Sequence, residues 1–506
     1  MNTHTISDAE ARKLILNGIT AIADPVSSTM GPAGRTVLLK DSNNKTIATK
    51  DGVTVSKSIF PKHPVESMGA DLVKDAAQRT AEIAGDGTST CTVLAAAMVK
   101  QAEKLIASGI SQTLLRSELP IICSRLTESI KSFAKPCKNF DDLLNVALIA
   151  SNNDMQIAEP VAKAVWIAGL SGRITLDDAR IGLTHLETSD GLFIKGELLS
   201  THFANINGRL AAGSNEAYVV LSRFKLSTFD NIMHIMKLAQ ENKKPLILIF
   251  SDYEQTAFQA LVQNKVKANM NVIACKLKTT SYDEISDIAI ALGTTLFDPN
   301  NNKQAEYASI KRFYVEQSLI SIIPDNNSNA IQHSEFLRKT AEDSTSIEVK
   351  DSFIRRASLI ASKHCLIKVA APTDAEAIEK KHRAEDAIAA CKGALEYGII
   401  SGGGIALINA YESIDLTDIS IATQSIVKEG VEAPLKAIMS NAGRSFDWFT
   451  SCKTETSVYD AKSNKILTEI PSWLIDPVIV TKSAFENASS VCRTFVALSS
   501  VIYQEA

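Results

Sequence analysis

Six consecutive residues, Gly85-Asp86-Gly87-Thr88-Ser89-Thr90, carry the strongest chemical signal in the chain. Glycines let a backbone approach an anion closely, and a helix starting behind them offers unpaired N–H groups and the positive end of its dipole. Thr88, Ser89 and Thr90 add hydroxyl donors, and Asp86 supplies the hard oxygen that Mg2+ prefers when it bridges phosphates. The same residues also fit a plain glycine turn with Thr88 or Ser89 capping a helix, and on this segment alone both readings stay open. Three further glycine loops occur at Thr29–Arg35 (TMGPAGR), at Lys50-Asp51-Gly52-Val53 and at Ser401-Gly402-Gly403-Gly404. Each by itself signals only a turn. The chain has no GxxxxGK followed by Ser or Thr and no GxGxxG, so P-loop and Rossmann sites have no support.

A phosphate loop needs two helices to hold it, and its flanks supply them. Val65, Met68, Leu72, Val73 and Ala76 recur at helical spacing before it, as do Leu94, Ala97, Met98 and Leu105 after it. The first 130 residues therefore predict mostly helix. Residues 160–225 change character, with short β-rich runs such as Arg173–Leu176 and Tyr218–Leu221. An α/β alternation follows: a helix over 228–241, the apolar run Pro245–Phe250, a helix over 253–267, then Asn271–Cys275. Asn and Ser cluster at 299–303 and 325–329, which marks surface loops. From 373 the helical pattern returns, with Glu and Lys interleaved through Glu376–Asp386, and continues to the C-terminus. Helix, then mixed α/β, then helix predicts a domain built from both chain ends with another inserted between them.

Bulk properties fit that plan. A chain of 506 residues is too long for one core and predicts about three domains. It is 45% hydrophobic and 22% charged, and its net charge of −4 excludes nucleic acid as the main partner. The eight cysteines, at 91, 123, 137, 275, 365, 391, 452 and 492, never reach metal-ligand spacing, a pattern of reduced thiols in a cytosol. The N-terminal MNTHTISDAEARKLILNG is polar with no apolar signal core, and no stretch approaches the roughly 18 apolar residues of a membrane span. The expectation is a cytoplasmic protein without membrane or nucleic-acid partners.

Read in order, several segments resemble the group I chaperonins, the bacterial-type 60 kDa family. They are TMGPAGRTVLL (29–39), TKDGVTVSKSI (49–59), MGADLVKDAA (68–77), AGDGTSTCTVLA (84–95) and SNND (151–154). Further on come KPLILI (244–249), KKHRAEDAIAA (380–390), YGIISGGGIALI (397–408), VEAPLKAI (431–438) and IDPVIVTKSAFENASSV (475–491). The match runs nearly end to end and is weakest at 276–350.

The resemblance implies a multi-domain α and α/β fold in three parts. A mostly helical equatorial ATP-binding domain would comprise 1–132 and 397–506, and a small α/β intermediate hinge domain 133–189 and 365–396. An α/β apical domain, 190–364, would be inserted in the middle. It further implies an ATPase with Mg2+, and K+ as an optional second cation, that assists folding of captured proteins in a ring-shaped cavity. Thr29, Met30, Gly31 and Pro32 would line the nucleotide, and Lys50, Asp51 and Gly52 would lie near the phosphates, Asp51 with a catalytic part. Asp86 would hold the metal, and Gly87, Thr88, Ser89 and Thr90 would cradle phosphate oxygens. Asn152 would sit at the nucleotide edge, Gly403 beside the ribose, Asp460 on the adenine side, and Asp476 would accept from ribose hydroxyls. Asp386 would swing over the site and position water against the γ-phosphate, which suits a reaction governed by positioning and charge neutralisation. Without the resemblance, Asp386 reads as an exposed helix charge among Lys380, Lys381 and Arg383.

Apolar stripes on the two mid-chain helices, Met233 with Met236 and Phe258 with Val262, ordinarily mean core. The resemblance points them at the cavity, with Leu198, His202 and Phe203, as a capture face for unfolded clients. At about 2 kcal/mol per buried anchor one subunit binds weakly, so a homo-oligomeric ring, sevenfold and single or double, would hold by multivalency. A co-chaperonin is a further implied partner. Hinges match at Pro136, Gly398 and Gly191.

Departures are many. Leu198, His202 and Gln263 make the capture face more polar than in the family, and Ser362-Lys363 replaces paired hinge glycines. Tyr459-Asp460-Ala461-Lys462 stands for Tyr-Asn-Ala-Ala, and a Pro-Gly-Phe-Gly segment after Lys276 is missing. Ser445 replaces an acid that pairs between rings, while Lys436 keeps its basic partner, which leaves ring number open. The Gly-Gly-Met tail is absent. These mark a shortened, divergent member of the kind a phage could encode. An ATP-independent holdase or structural ring with a decayed cycle is the alternative function, and a small-molecule kinase a third that nothing in the chain resembles.

Overall fold

The structure is a computed structural model that describes residues 3–40, 46–50, 52–170, 172–179, 183–206, 210–227, 233–267, 270–279, 281–298, 305–316, 319–344, 346–360, 362–454 and 457–504. The chain divides into two compact units. One comprises Met1–Trp166, Leu176–His185 and Lys368–Ala506, and the other Ile167–Thr175 with Leu186–Ile367. Helix–α/β–helix along the sequence thus becomes a unit made from both ends and a unit made from the middle. Among the described residues no helix is long and apolar enough to cross a membrane.

The first unit is mostly helical because its segments repeat apolar residues every three or four positions. Asp8–Ser28 buries Ala11, Ile15, Ile19, Ile22 and Val26 along one stripe. Pro64–Ala84 starts with proline at its first turn, capped by His63 Nδ1, and buries Val65, Val73 and Ala76. Thr88–Ala107, in the middle, packs against Asp8–Ser28, Pro64–Ala84, Ile421–Asn441 and Val478–Val496. Leu94, Met98, Phe485 and Phe495 are among the large side chains of this shared core. Strands Thr3–Ser7 and Ser500–Gln504 pair antiparallel, and His4 stacks on Tyr503, so the two ends of the chain close on each other.

The second unit is a twisted sheet flanked by helices. Six of its strands hydrogen-bond in the order Val272–Leu277, Leu246–Phe250, Ala211–Leu221, Ala308–Glu316, Leu319–Pro324, His185–Leu198. The first three run parallel and the rest pair antiparallel. Leu246–Phe250 is buried throughout, as expected of a parallel strand covered on both faces. Buried Asp287 is held by Arg356, whose Nε and NH2 groups donate to it at 2.6 and 3.0 Å, and by His333 at 2.8 Å. The expected helix at 228–241 is seen as Met233–Glu241, its start lying outside the described residues. The Asn and Ser cluster at 325–329 runs directly into the helix Ser328–Glu342 instead of remaining a loop.

Candidate functional site

The six-residue glycine loop is a sharp link between two long helices of the first unit. Pro64–Ala84 ends at Gly85 with φ 74°, and Gly87, φ 91°, precedes Thr88–Ala107. Both are left-handed conformations that a side chain would strain. Asp86 turns back so that its Oδ1 accepts from the Gly87 N–H at 2.5 Å. No side-chain cap closes the start of the Thr88 helix, which leaves the N–H groups of its first turn to another acceptor, as an anion site requires. Gly52 lies against this turn: a Cβ there would come within 2.1 Å of Ser89 Oγ. The Lys50–Val53 loop and the Gly85–Thr90 loop are therefore neighbours. Lys50 is exposed beside them, and Asp51 lies outside the described residues.

The Thr29–Pro32 segment is fastened to the opposite end of the chain. Asn441 Nδ2 donates to the carbonyls of Ser27 at 2.8 Å and Met30 at 2.9 Å, and Gly31 rests on the side chain of Ile438. Thr29 donates its own hydroxyl to Val26 O at 2.7 Å. Across from it, Ile399–Ser401 pairs with Ile475–Pro477 in a short antiparallel ladder that sets Ile400 opposite Asp476. Gly402 N–H donates to Leu474 O at 2.9 Å, and Gly403 lies against the Leu474 side chain. Ile438 and Leu474 edge an apolar cluster of Ile405, Ile408, Leu435, Met439, Phe449, Val458 and Tyr459. Such a wall suits the face of a base, with few polar groups to fix its orientation.

Asp476 is the electrostatic centre. Burial pushes its carboxyl up to about 7, the charge of Asp86 adds to the rise, and the Gly403 N–H opposes it. Asp86 and Asp476, far apart in sequence, are thus near enough for the charge of one to act on the other, a repulsion that a divalent cation relieves. Mg2+ fits this donor set. Among the described residues no three His, Cys, Asp or Glu side chains come together as a self-sufficient metal cage. A cation here would therefore complete its shell with phosphate oxygens and water, the usual habit of Mg2+.

Asp386 belongs to the helix Asp374–Tyr397, which Thr373 caps by accepting the Glu376 N–H at 3.3 Å. That helix touches the glycine loop, because a Cβ on Gly85 would fall 1.9 Å from the Ala389 Cβ. Asp386 lies one turn before Ala389 on the same face of the helix. The helix ends at Gly398, whose neighbours Lys135 and Ile399 exchange two backbone hydrogen bonds at 2.8 and 2.7 Å. The sequence reading missed the support of this helix. Arg383 NH1 donates to Asp154 Oδ2 at 3.3 Å, and Asp154 follows Asn152 and Asn153, both left-handed. An Asn-Asn-Asp run was the available signal.

Asp460 sits in the hairpin Val458–Asp460/Lys465–Leu467. Its carboxylate accepts from the N–H groups of Lys462 at 2.9 Å and Ser463 at 3.3 Å and from Ser463 Oγ at 2.5 Å, so it organises the turn.

In the second unit the residues expected on a capture face divide between core and surface. Leu198, Phe203 and Met236 are buried, Phe203 completely, because the 3-10 turn Thr201–Phe203 and the inner side of Met233–Glu241 close over the sheet. Phe258 and Val262 are half-buried against the same core, Phe258 meeting Phe203 edge-on at 6.4 Å. Met233, 43% exposed, and His202 remain on the surface.

Comparison with known proteins agrees with this architecture. The model of the TCP-1/cpn60 chaperonin family matches residues 22–506. In one crystal form the chaperonin gp146 from bacteriophage EL 2 (Pseudomonas aeruginosa), solved in the presence of ATP-BeFx, superposes with a TM-score of 0.73 at 21% identity, covering 99% of each chain. In a second form of the same protein the TM-score is 0.70 at 20% identity, again over 99% of each chain. An end-to-end family match, with the same fold around a loop shared by both termini, makes this chain a member of the TCP-1/cpn60 chaperonin family.

Proposed function

We propose that this chaperonin binds and hydrolyses ATP in the pocket of its first unit and uses the cycle to capture and release non-native proteins. The observation that carries the reading is the glycine turn at the uncapped start of Thr88–Ala107, with the Asp386 helix docked on Gly85 and the charge of Asp86 felt by Asp476. Gly87, Thr88, Ser89 and Thr90 would receive phosphate oxygens, Lys50 would add positive charge, and Ile438 and Leu474 would flank the base between Thr29–Pro32 and Gly403. Asp476, protonated or ionised, can bond ribose hydroxyls. Asp86 would hold Mg2+, which supplies charge neutralisation on the phosphates. Asp386 orients the attacking water and accepts its hydrogen, work that costs little beyond positioning in phosphoryl transfer.

The finer division of the first unit into equatorial and intermediate parts, the sevenfold ring, a co-chaperonin and K+ as a second cation belong to the same proposal. So does a cytosolic location, supported by eight cysteines that are all free. Asp386→Ala is expected to lower ATP turnover at least about a hundredfold while nucleotide binding persists, since one catalytic carboxylate contributes on that scale. Steady-state hydrolysis and equilibrium binding decide it, and undiminished turnover would overturn the assignment. The smaller exposed capture surface favours a second reading, a holdase. Aggregation suppression that is equal with and without ATP, in a protein that turns over no ATP, would establish it.

A further inference from the structure

The hairpin Val458–Asp460/Lys465–Leu467 makes one contact that the nucleotide reading does not use. Lys462 Nζ donates to Asn153 Oδ1 at 2.7 Å, over 309 residues of sequence. Lys462 projects from a stiff turn. Asp460 takes its backbone N–H, while Tyr459 OH and Arg444 Nε both donate to Asn464 Oδ1 at 2.9 and 2.8 Å. Arg444 in turn lies over the Trp448 ring at 4.9 Å. The acceptor end is equally fixed. Asn153, at φ 61°, follows buried Ser151, and the next residue, Asp154, pairs with Arg383 at 3.3 Å. Arg383 lies one turn before Asp386 on the helix that touches Gly85.

We propose that Lys462 is a positioning residue: by gripping Asn153 it fastens the turn 151–154, and through Asp154 and Arg383 the Asp386 helix, to the base-side hairpin. The closed arrangement is then held from two sides, by Ala389 against Gly85 and by this lysine across the base end of the pocket. Nucleotide leaves only after the grip opens. The proposal rests on the nucleotide reading above.

Stopped-flow release of N-methylanthraniloyl-ADP from the full-length protein tests it. Lys462→Ala is expected to speed release by about three- to tenfold, the scale of one charge-assisted hydrogen bond at a partly wet site. Asn153→Ala should do the same, and the double variant should be no faster than either single one. Lys462→Arg should restore slow release, and Lys465→Ala on the same hairpin should leave it unchanged. Lys462 is exposed on a turn, so thermal stability should not move. Release from Lys462→Ala at the wild-type rate, or single effects that add fully in the double variant, would overturn the latch while leaving the nucleotide site standing. A wild-type protein that takes up no labelled ADP would instead overturn the nucleotide reading, and the latch with it.

Discussion

Asp476, proposed to bond the ribose, works against its own fold. An aspartate in an unfolded chain titrates near 3.8, whereas burial and the Asp86 charge hold this one at about 7. Between those values the folded state keeps a proton that the unfolded state has lost. Stability therefore falls as pH rises from about 4 to about 7 and levels off above, the reverse of a salt-bridged carboxylate. Asp476→Asn removes the titration. In thermal melts without nucleotide it should melt higher than wild type at pH 7 to 8, with the difference vanishing near pH 4, and it should bind nucleotide more weakly. Parallel pH profiles for the two proteins would show that Asp476 does not carry this cost.

Among the elements, the Asp374–Tyr397 helix carries the proposed catalytic Asp386, and its seat is the absence of a side chain at Gly85. Alanine there meets two penalties: a left-handed backbone costing about 1 kcal/mol, and a Cβ 1.9 Å from that of Ala389. Gly85→Ala should push the helix off the loop, lowering kcat much more than nucleotide affinity. Adding Ala389→Gly should recover part of kcat despite the roughly 1 kcal/mol that glycine costs inside a helix. A Gly85→Ala protein with full turnover would mean that the docked position is not the catalytic one. The same helix joins the fold's supporting contacts, because Arg383 ties it to Asp154 and its end at Gly398 lies beside the two backbone hydrogen bonds between Lys135 and Ile399.

At the scale of the whole molecule, the proposed capture surface is small. With Leu198, Phe203 and Met236 in the core, Met233 is the principal exposed apolar residue left among those expected to face clients. One anchor of about 2 kcal/mol cannot hold a protein, so capture requires many copies presented together. Met233→Glu should reduce capture of a denatured protein severalfold and leave ATP turnover unchanged. Phe258→Glu is a poorer probe, since Phe258 packs on Phe203 and the charge would enter the core. Class averages from electron microscopy, with and without ATP, should show rings; monomeric particles that still capture clients would refute the multivalent account. Lys436 is held by Glu429 at 2.7 Å and Glu432 at 2.8 Å of its own helix, and Ser445 caps Phe446–Cys452.

By itself the sequence determined the helix–α/β–helix order, the glycine turn between two long helices and the need to build one unit from both ends. These are set by local periodicity and by glycine, whose conformational demands are visible residue by residue. Only tertiary structure could decide which stripes face inward: Met233 and Met236 are three residues apart, yet the sheet covers one and not the other. Likewise no local pattern reveals that Asp86 raises the pKa of Asp476, or that Lys462 reaches Asn153. Burial, proximity and charge between segments hundreds of residues apart exist only after the chain has closed on itself, because each depends on distances that folding alone creates.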